Sequence, residues 1–94
     1  MDHKLQLLGV IFKANKIVYG SKLLTNISNV KYLLLASDSA YNITYKINNK
    51  AKYYNIIVNN QYTTKELSMA IGKSNIKVIG ITDIGFTNKF ISIV

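Results

Sequence analysis

The sequence contains no cysteine, no proline and no tryptophan, and its basic residues are all lysine. It has one histidine and four acids. Each shortage removes a class of chemistry. Without cysteine there is no disulfide, no thiolate nucleophile and no sulfur ligand for zinc. His3 stands alone beside the N-terminus, so no cluster has metal-ligand spacing. The acids are Asp2, Asp38, Glu66 and Asp83. Glu66 and Asp83 read as helix-capping residues, and no two carboxylates stand out as an acid/base couple. The five glycines, Gly9, Gly20, Gly72, Gly80 and Gly85, form neither a dinucleotide fingerprint nor a phosphate-binding P-loop. The expectation is a protein that is not an enzyme, with no cofactor, no metal and no small-molecule substrate.

Long apolar runs are missing too. The longest, Tyr32 to Ala36, has the length of a buried strand and not of a membrane span. The first residues lack the charged region, apolar stretch and cleavage site of a signal peptide. A cytoplasmic location without membrane contact is therefore expected.

What is present is apolar mass and positive charge. With 94 residues and 49% hydrophobic content, the chain can build one domain, residues 1–94, around a real core. Twelve lysines against four acids give a formal charge of +8. Such an excess on a short chain favours a polyanionic partner, with nucleic acid foremost. A codon bias toward Lys, Asn, Ile and Tyr would raise the charge as well, so composition alone leaves a merely basic surface open.

The apolar spacing alternates between helical and strand periods. Asp2–Lys13 reads as a helix, with Leu5, Leu8 and Phe12 on one face and Leu7 and Ile11 beside them. Asn15 breaks it, Lys16–Tyr19 is a short strand, and Gly20 turns the chain. Ser21–Asn29 is helical, with Leu24 and Ile27 inward. Lys31–Ser37 is a strand buried on both faces. Ser39 reads as the N-cap of a helix carrying Ile43, Ile47, Ala51 and Tyr54 inward and Lys46, Asn49, Lys50 and Tyr53 outward. Ile56–Val58 is a strand. Thr63-Thr64-Lys65-Glu66 has the spacing of a capping box, and its helix runs to Ile71 before Gly72. Lys77–Thr82 is the fourth strand, and Asp83 caps a last helix through Phe90. Five helices alternating with four strands imply an α/β sandwich with helices on both faces of a sheet.

Polar loops at element ends are the candidate site. In Gly20-Ser21-Lys22 a strand gives way to a helix, whose first N–H groups lack internal partners and favour an anion such as phosphate. Gly72-Lys73-Ser74-Asn75 is small, polar and basic, and Ser37-Asp38-Ser39 ends the buried strand. Loops at strand ends of an open sheet can meet in one site.

Several segments, taken in order, carry a resemblance: Leu8-Gly9, Lys16-Ile17-Val18-Tyr19-Gly20, Leu34-Leu35-Ala36-Ser37-Asp38, Tyr53-Tyr54-Asn55, Lys65-Glu66-Leu67, Ala70-Ile71-Gly72-Lys73 and Ile81-Thr82-Asp83-Ile84-Gly85-Phe86. The series resembles the bacterial YlxQ-like proteins of the L-seven-Ae-type ribosomal protein superfamily. The resemblance implies a three-layer α/β/α sandwich with a four-stranded mixed sheet. It also implies binding of structured RNA, in many members a kink-turn, in the ribosome or another ribonucleoprotein. There the helix after the glycine enters the widened major groove by its N-terminus, a groove that ordinary A-form RNA keeps too narrow.

By that resemblance the contact residues are Gly20, Ser21, Lys22, Leu23 and Asn26 on the helix and Gly72, Lys73, Ser74 and Asn75 on the second loop. Asp38 lies at the edge, and Lys13 and Lys16 add charge. Gly20 and Ser21 fit the family pattern, whereas Lys22, Leu23 and Asn26 stand where it often has Asn, Glu and Lys. Lys22 still offers a donor to a guanine edge. Leu23 cannot accept a base proton and is read as joining Leu24 and Ile27 in the core. These departures weaken base-specific recognition and leave phosphate contacts in place. The alternative is a protein-interaction module on the same fold, using Leu23 and exposed tyrosines such as Tyr53.

Overall fold

A computed structural model describes residues 2–93. Its helices are α1 (His3–Lys13), α2 (Ser21–Thr25), α3 (Tyr41–Tyr53), α4 (Thr64–Ala70) and α5 (Ile84–Ser92). Its strands are β1 (Ile17–Tyr19), β2 (Tyr32–Leu35), β3 (Ile57–Asn59) and β4 (Val78–Ile81). They form one mixed sheet in the order β1-β4-β2-β3, antiparallel except for the β2–β3 pair.

The sheet separates two apolar clusters. On one face α1, α4 and α5 pack Leu5, Leu8, Ile11, Leu67 and Phe90 against Leu34, Ile79 and Ile81. On the other, α2 and α3 pack Leu23, Ile47 and Ala51 against Leu33, Leu35 and Val78. This is the three-layer α/β/α sandwich with a four-stranded mixed sheet. The central strands β2 and β4 are buried along their whole length, as strands covered on both faces must be.

Two glycines set the spacing of the layers. In the row Val18–Gly80–Leu33 across three strands, a Cβ on Gly80 would lie 2.8 Å from Leu23 Cδ1 and 2.9 Å from Val30 Cγ2. The missing side chain lets α2 settle onto β4, and Leu23 is left 2% exposed. On the opposite face, a Cβ on Gly9 would lie 2.9 Å from the Ala70 carbonyl oxygen, so Gly9 sets the approach of α1 to α4.

Helix ends follow the residues at hand. Asp2 accepts from the Lys4 and Leu5 N–H groups, and Asp83 accepts from Phe86 N–H. Thr63 and Glu66 close the capping box in both directions. Asn15 and Asn55 take left-handed φ values of 61° and 56°, turning the chain after α1 and α3.

Three local expectations are corrected. Tyr54, expected on the inward face of α3, is instead its C-cap and is exposed, with its ring edge-on to that of Tyr53. Ser39 is not the N-cap of α3. Ala40 holds that position without a side-chain bond, and the Ser39 hydroxyl instead pairs with the Thr44 hydroxyl at 2.9 Å. The helix expected over Ser21–Asn29 is divided. α2 ends at Thr25, and a 3₁₀ turn follows over Ile27–Asn29. Asn26 makes the break, because its Nδ2 donates to the Lys22 carbonyl at 2.9 Å in competition with the helical pattern.

Replacing Gly80 with Ala should force Leu23 and Val30 apart and destabilise the fold by about 1–3 kcal/mol. The urea midpoint of Gly80→Ala against the parent checks this, and an unchanged midpoint would contradict the close seating of α2.

Candidate nucleic-acid interface

The candidate surface lies where β1 passes into α2. Gly20 has φ 66° and ψ −146°, a backbone region essentially reserved for glycine. No side chain caps the first turn of α2, and Ser21 and Lys22 are exposed there. Leu23 points the other way, into the core, and is almost fully buried. Asn26 is only partly exposed, and its amide is held by the Lys22 carbonyl.

The Gly72–Asn75 loop meets this edge. Gly72 closes α4 with a φ of 67° while Lys73 N–H donates to the Ser68 carbonyl at 2.9 Å. Asn75 is again left-handed, at φ 58°. Two depressions adjoin Gly20, and the first also reaches Asn75 of the second loop. One, of about 270 Å³, has Leu23, Leu24, Ile43 and Ile47 as its apolar lining, with Gly20, Asn75, Lys46 and Lys77 on the polar side. The other runs along Phe12, Asn15 and Tyr19 to Gly20, Ser21 and Lys22. Lys73 reaches over the Phe12 ring, with Nζ 5.7 Å from its centroid, and that ring lies 6.1 Å from Tyr19.

The structure therefore brings together Gly20, Ser21, Lys22, Lys73 and Asn75. Ser74 lies with Lys73 and Asn75 along a third depression, beside Asp38, Lys65 and Lys77. Lys13 and Lys16 are exposed on either side of Asn15 and line none of these depressions.

Asp38 has a structural partner. Its Oδ1 accepts from the Thr64 hydroxyl at 2.7 Å and from the Thr64 N–H at 2.8 Å, and these bonds hold its carboxyl below the usual range. Lys77 Nζ donates to the same Thr64 hydroxyl at 3.2 Å. Asp2 is also lowered. Burial works against this, but the bonds from Leu5 N–H, the Tyr62 hydroxyl and Lys4 N–H outweigh it. Burial and the Asp2 carboxylate together push the Tyr62 phenol upward. All four acids thus accept from a backbone N–H at a helix start, since Glu66 bonds Thr63 N–H and Asp83 bonds Phe86 N–H. None stands among Gly20, Ser21 and Lys22.

Sequence reading missed three contributors. Phe12 packs at the edge of the core, as its spacing implies, and is also half-buried beneath Lys73. Tyr19 continues that ring surface toward Gly20. Ser68 is buried in α4, donating to the Thr64 carbonyl at 2.6 Å and accepting from Ile76 N–H at 2.8 Å, which fixes the far end of the Gly72–Asn75 loop. A serine on the Leu67–Ile71 side of an otherwise apolar helix face was the available signal.

No family profile matches the chain. The RNA-binding protein YlxQ of Bacillus subtilis (strain 168) is 36% identical over 90 residues, covering 93% of this chain and 90% of that protein. The RNA-binding protein YlxQ of Enterococcus faecium is 32% identical over 88 residues, covering 90% and 84%. A solved protein of unknown function from Bacillus halodurans superposes with a TM-score of 0.91 at 29% identity, over 99% of this chain and 97% of that one. The Giardia lamblia 15.5kD RNA binding protein shares the fold, with a TM-score of 0.79 at 16% identity over 95% and 79%.

Ser68→Ala leaves the buried Ile76 N–H without its partner and should cost about 1–3 kcal/mol. Amide exchange should then quicken across Gly72–Ile76 more than in β2, and uniform exchange would contradict the anchoring role. The Asp2 and Asp38 bonds stabilise the fold above the unfolded carboxylate value of 3.8 and are lost as pH falls through the lower folded values. Urea midpoints should therefore drop below pH 3.8, less steeply in an Asp2→Asn/Asp38→Asn variant. Equal slopes would remove these two groups as the cause.

Proposed function

The chain belongs to the YlxQ family, and we propose from that premise that it binds structured RNA through the start of α2 and the Gly72–Asn75 loop. The carrying observation is the meeting of these two loops around Gly20, with Lys22 and Lys73 exposed on the same edge and all four acids engaged at helix starts. RNA phosphates are the matching partner. The exposed N–H groups of α2 and the flanking ammonium groups favour an anion. Gly20 has no side chain to hold the RNA backbone away.

The preferred RNA is sharply bent. A short helix presented by its N-terminus needs an opened major groove, which a kink-turn supplies and a regular duplex does not. Base reading is reduced on this chain. Leu23 is spent on the core and the Asn26 amide on the Lys22 carbonyl, leaving Lys22 as the donor to a guanine edge. Affinity then rests mainly on phosphates and falls with salt. The ribosome or another ribonucleoprotein is the setting that such a ligand implies.

Titration of a kink-turn RNA and a straight duplex at two salt concentrations tests this. Both should bind, the kink-turn more tightly. Lys22→Ala should weaken both and lower the slope of log affinity against log salt by about one. An absence of binding to either RNA, or an unchanged Lys22→Ala variant, would overturn the assignment. Partners that persist after nuclease treatment of the purified protein would favour the protein-interaction reading instead.

A further inference from the structure

α3 buries Ile47 and Ala51 against the sheet and turns its other face to water. Tyr45 and Tyr53 on that face are 59% and 80% exposed, and Tyr41, 77% exposed, stacks on Tyr45 at 6.0 Å. Helical spacing places Tyr45, Asn49 and Tyr53 in one line, two turns or about 12 Å from end to end, with Lys46 and Lys50 in the adjacent row. These five residues line one open depression. α3 carries Lys46, Lys50 and Lys52 and no acid.

None of this serves the core. Aromatic rings left in water are unfavourable by their apolar area, and here they alternate with uncompensated positive charge. A ring surface flanked by ammonium groups is the arrangement that holds unpaired nucleotides, bases stacked on the rings and phosphates against the lysines. An acidic protein would satisfy the lysines but would leave the ring faces and the gap above Asn49 without matching flat groups. The patch is also continuous with the interface already described. Lys46 lines both this depression and the one bounded by Gly20 and Asn75.

We infer that the outer face of α3 is a second RNA contact, a stacking platform for single-stranded nucleotides flanking the structured element. This builds on the reading that the α2 edge holds structured RNA, and it adds a different ligand chemistry at a different place. Single strands leaving the bent element pass Lys46 and lie across Tyr45 and Tyr53.

Fluorescence anisotropy with two labelled RNAs separates the two sites. One is a kink-turn without overhangs, and the other is an unstructured eight-nucleotide oligouridylate. The parent chain should bind the oligouridylate, and Tyr45→Ala/Tyr53→Ala should weaken that binding about tenfold or more. The double variant should bind the kink-turn as the parent does, which also shows that it is folded. Tyr45→Phe/Tyr53→Phe keeps the rings and should restore oligouridylate binding. Four results would overturn the platform: no oligouridylate binding by the parent, equal binding by the double alanine variant, failure of the phenylalanine variant, or an acidic peptide competing on α3 where oligouridylate does not. A kink-turn that fails to bind while oligouridylate binds would remove the α2 reading and leave the α3 contact standing.

Discussion

The seating of Leu23 over Gly80 fixes the geometry on which the candidate interface depends. α2 is only five residues long, and a helix of that length has no independent stability. It exists because Leu23, Ile27 and Val30 anchor it and the following turn to a strand that offers no side chain at the point of contact. That anchor directs the other side of α2 to solvent and leaves Ser21 and Lys22 at its start. The residue that departs from the family's polar pattern is therefore the one that holds the presenting element in place.

Charge is distributed by the same economy of parts. Each carboxylate is placed at a helix start, where backbone N–H groups need an acceptor. α2, like α3, starts without such a side chain. Its first turn keeps its unpartnered donors and its share of the helix dipole, and lysines surround it. An attractive site for an anion thus arises from where the acids sit as much as from the number of lysines.

Much of this was legible in the sequence. Alternating periods gave the layer architecture, the Thr63–Glu66 spacing gave the capping box, and Gly20 marked a turn that only glycine makes. The resemblance supplied the sheet's mixed character, because strand order is a long-range property that local spacing does not encode. Local competition between side chains was harder to read. Ser39 and Ala40 differ by one residue along the chain, and the Thr44 hydroxyl draws Ser39 away from the cap. Asn26 could continue a helix or end it, and its bond to Lys22 ends it. Phe12 shares the spacing of Leu5 and Leu8 and packs at the edge of their cluster. Its place under Lys73 depends on how α4 closes, which no pattern within α1 contains.

The strand order ties the candidate interface to a strand far from it in sequence. β1, which leads into Gly20, lies at the sheet edge and pairs with β4 alone, joining Ile17 to Ile81 and Tyr19 to Ile79. During synthesis Gly20, Ser21 and Lys22 emerge well before the strand that supports them. A nascent chain halted before Val78 lacks both the partner of β1 and the glycine on which α2 rests. The edge around Gly20 is consequently assembled only once β4 has been made, and shorter products lack that surface.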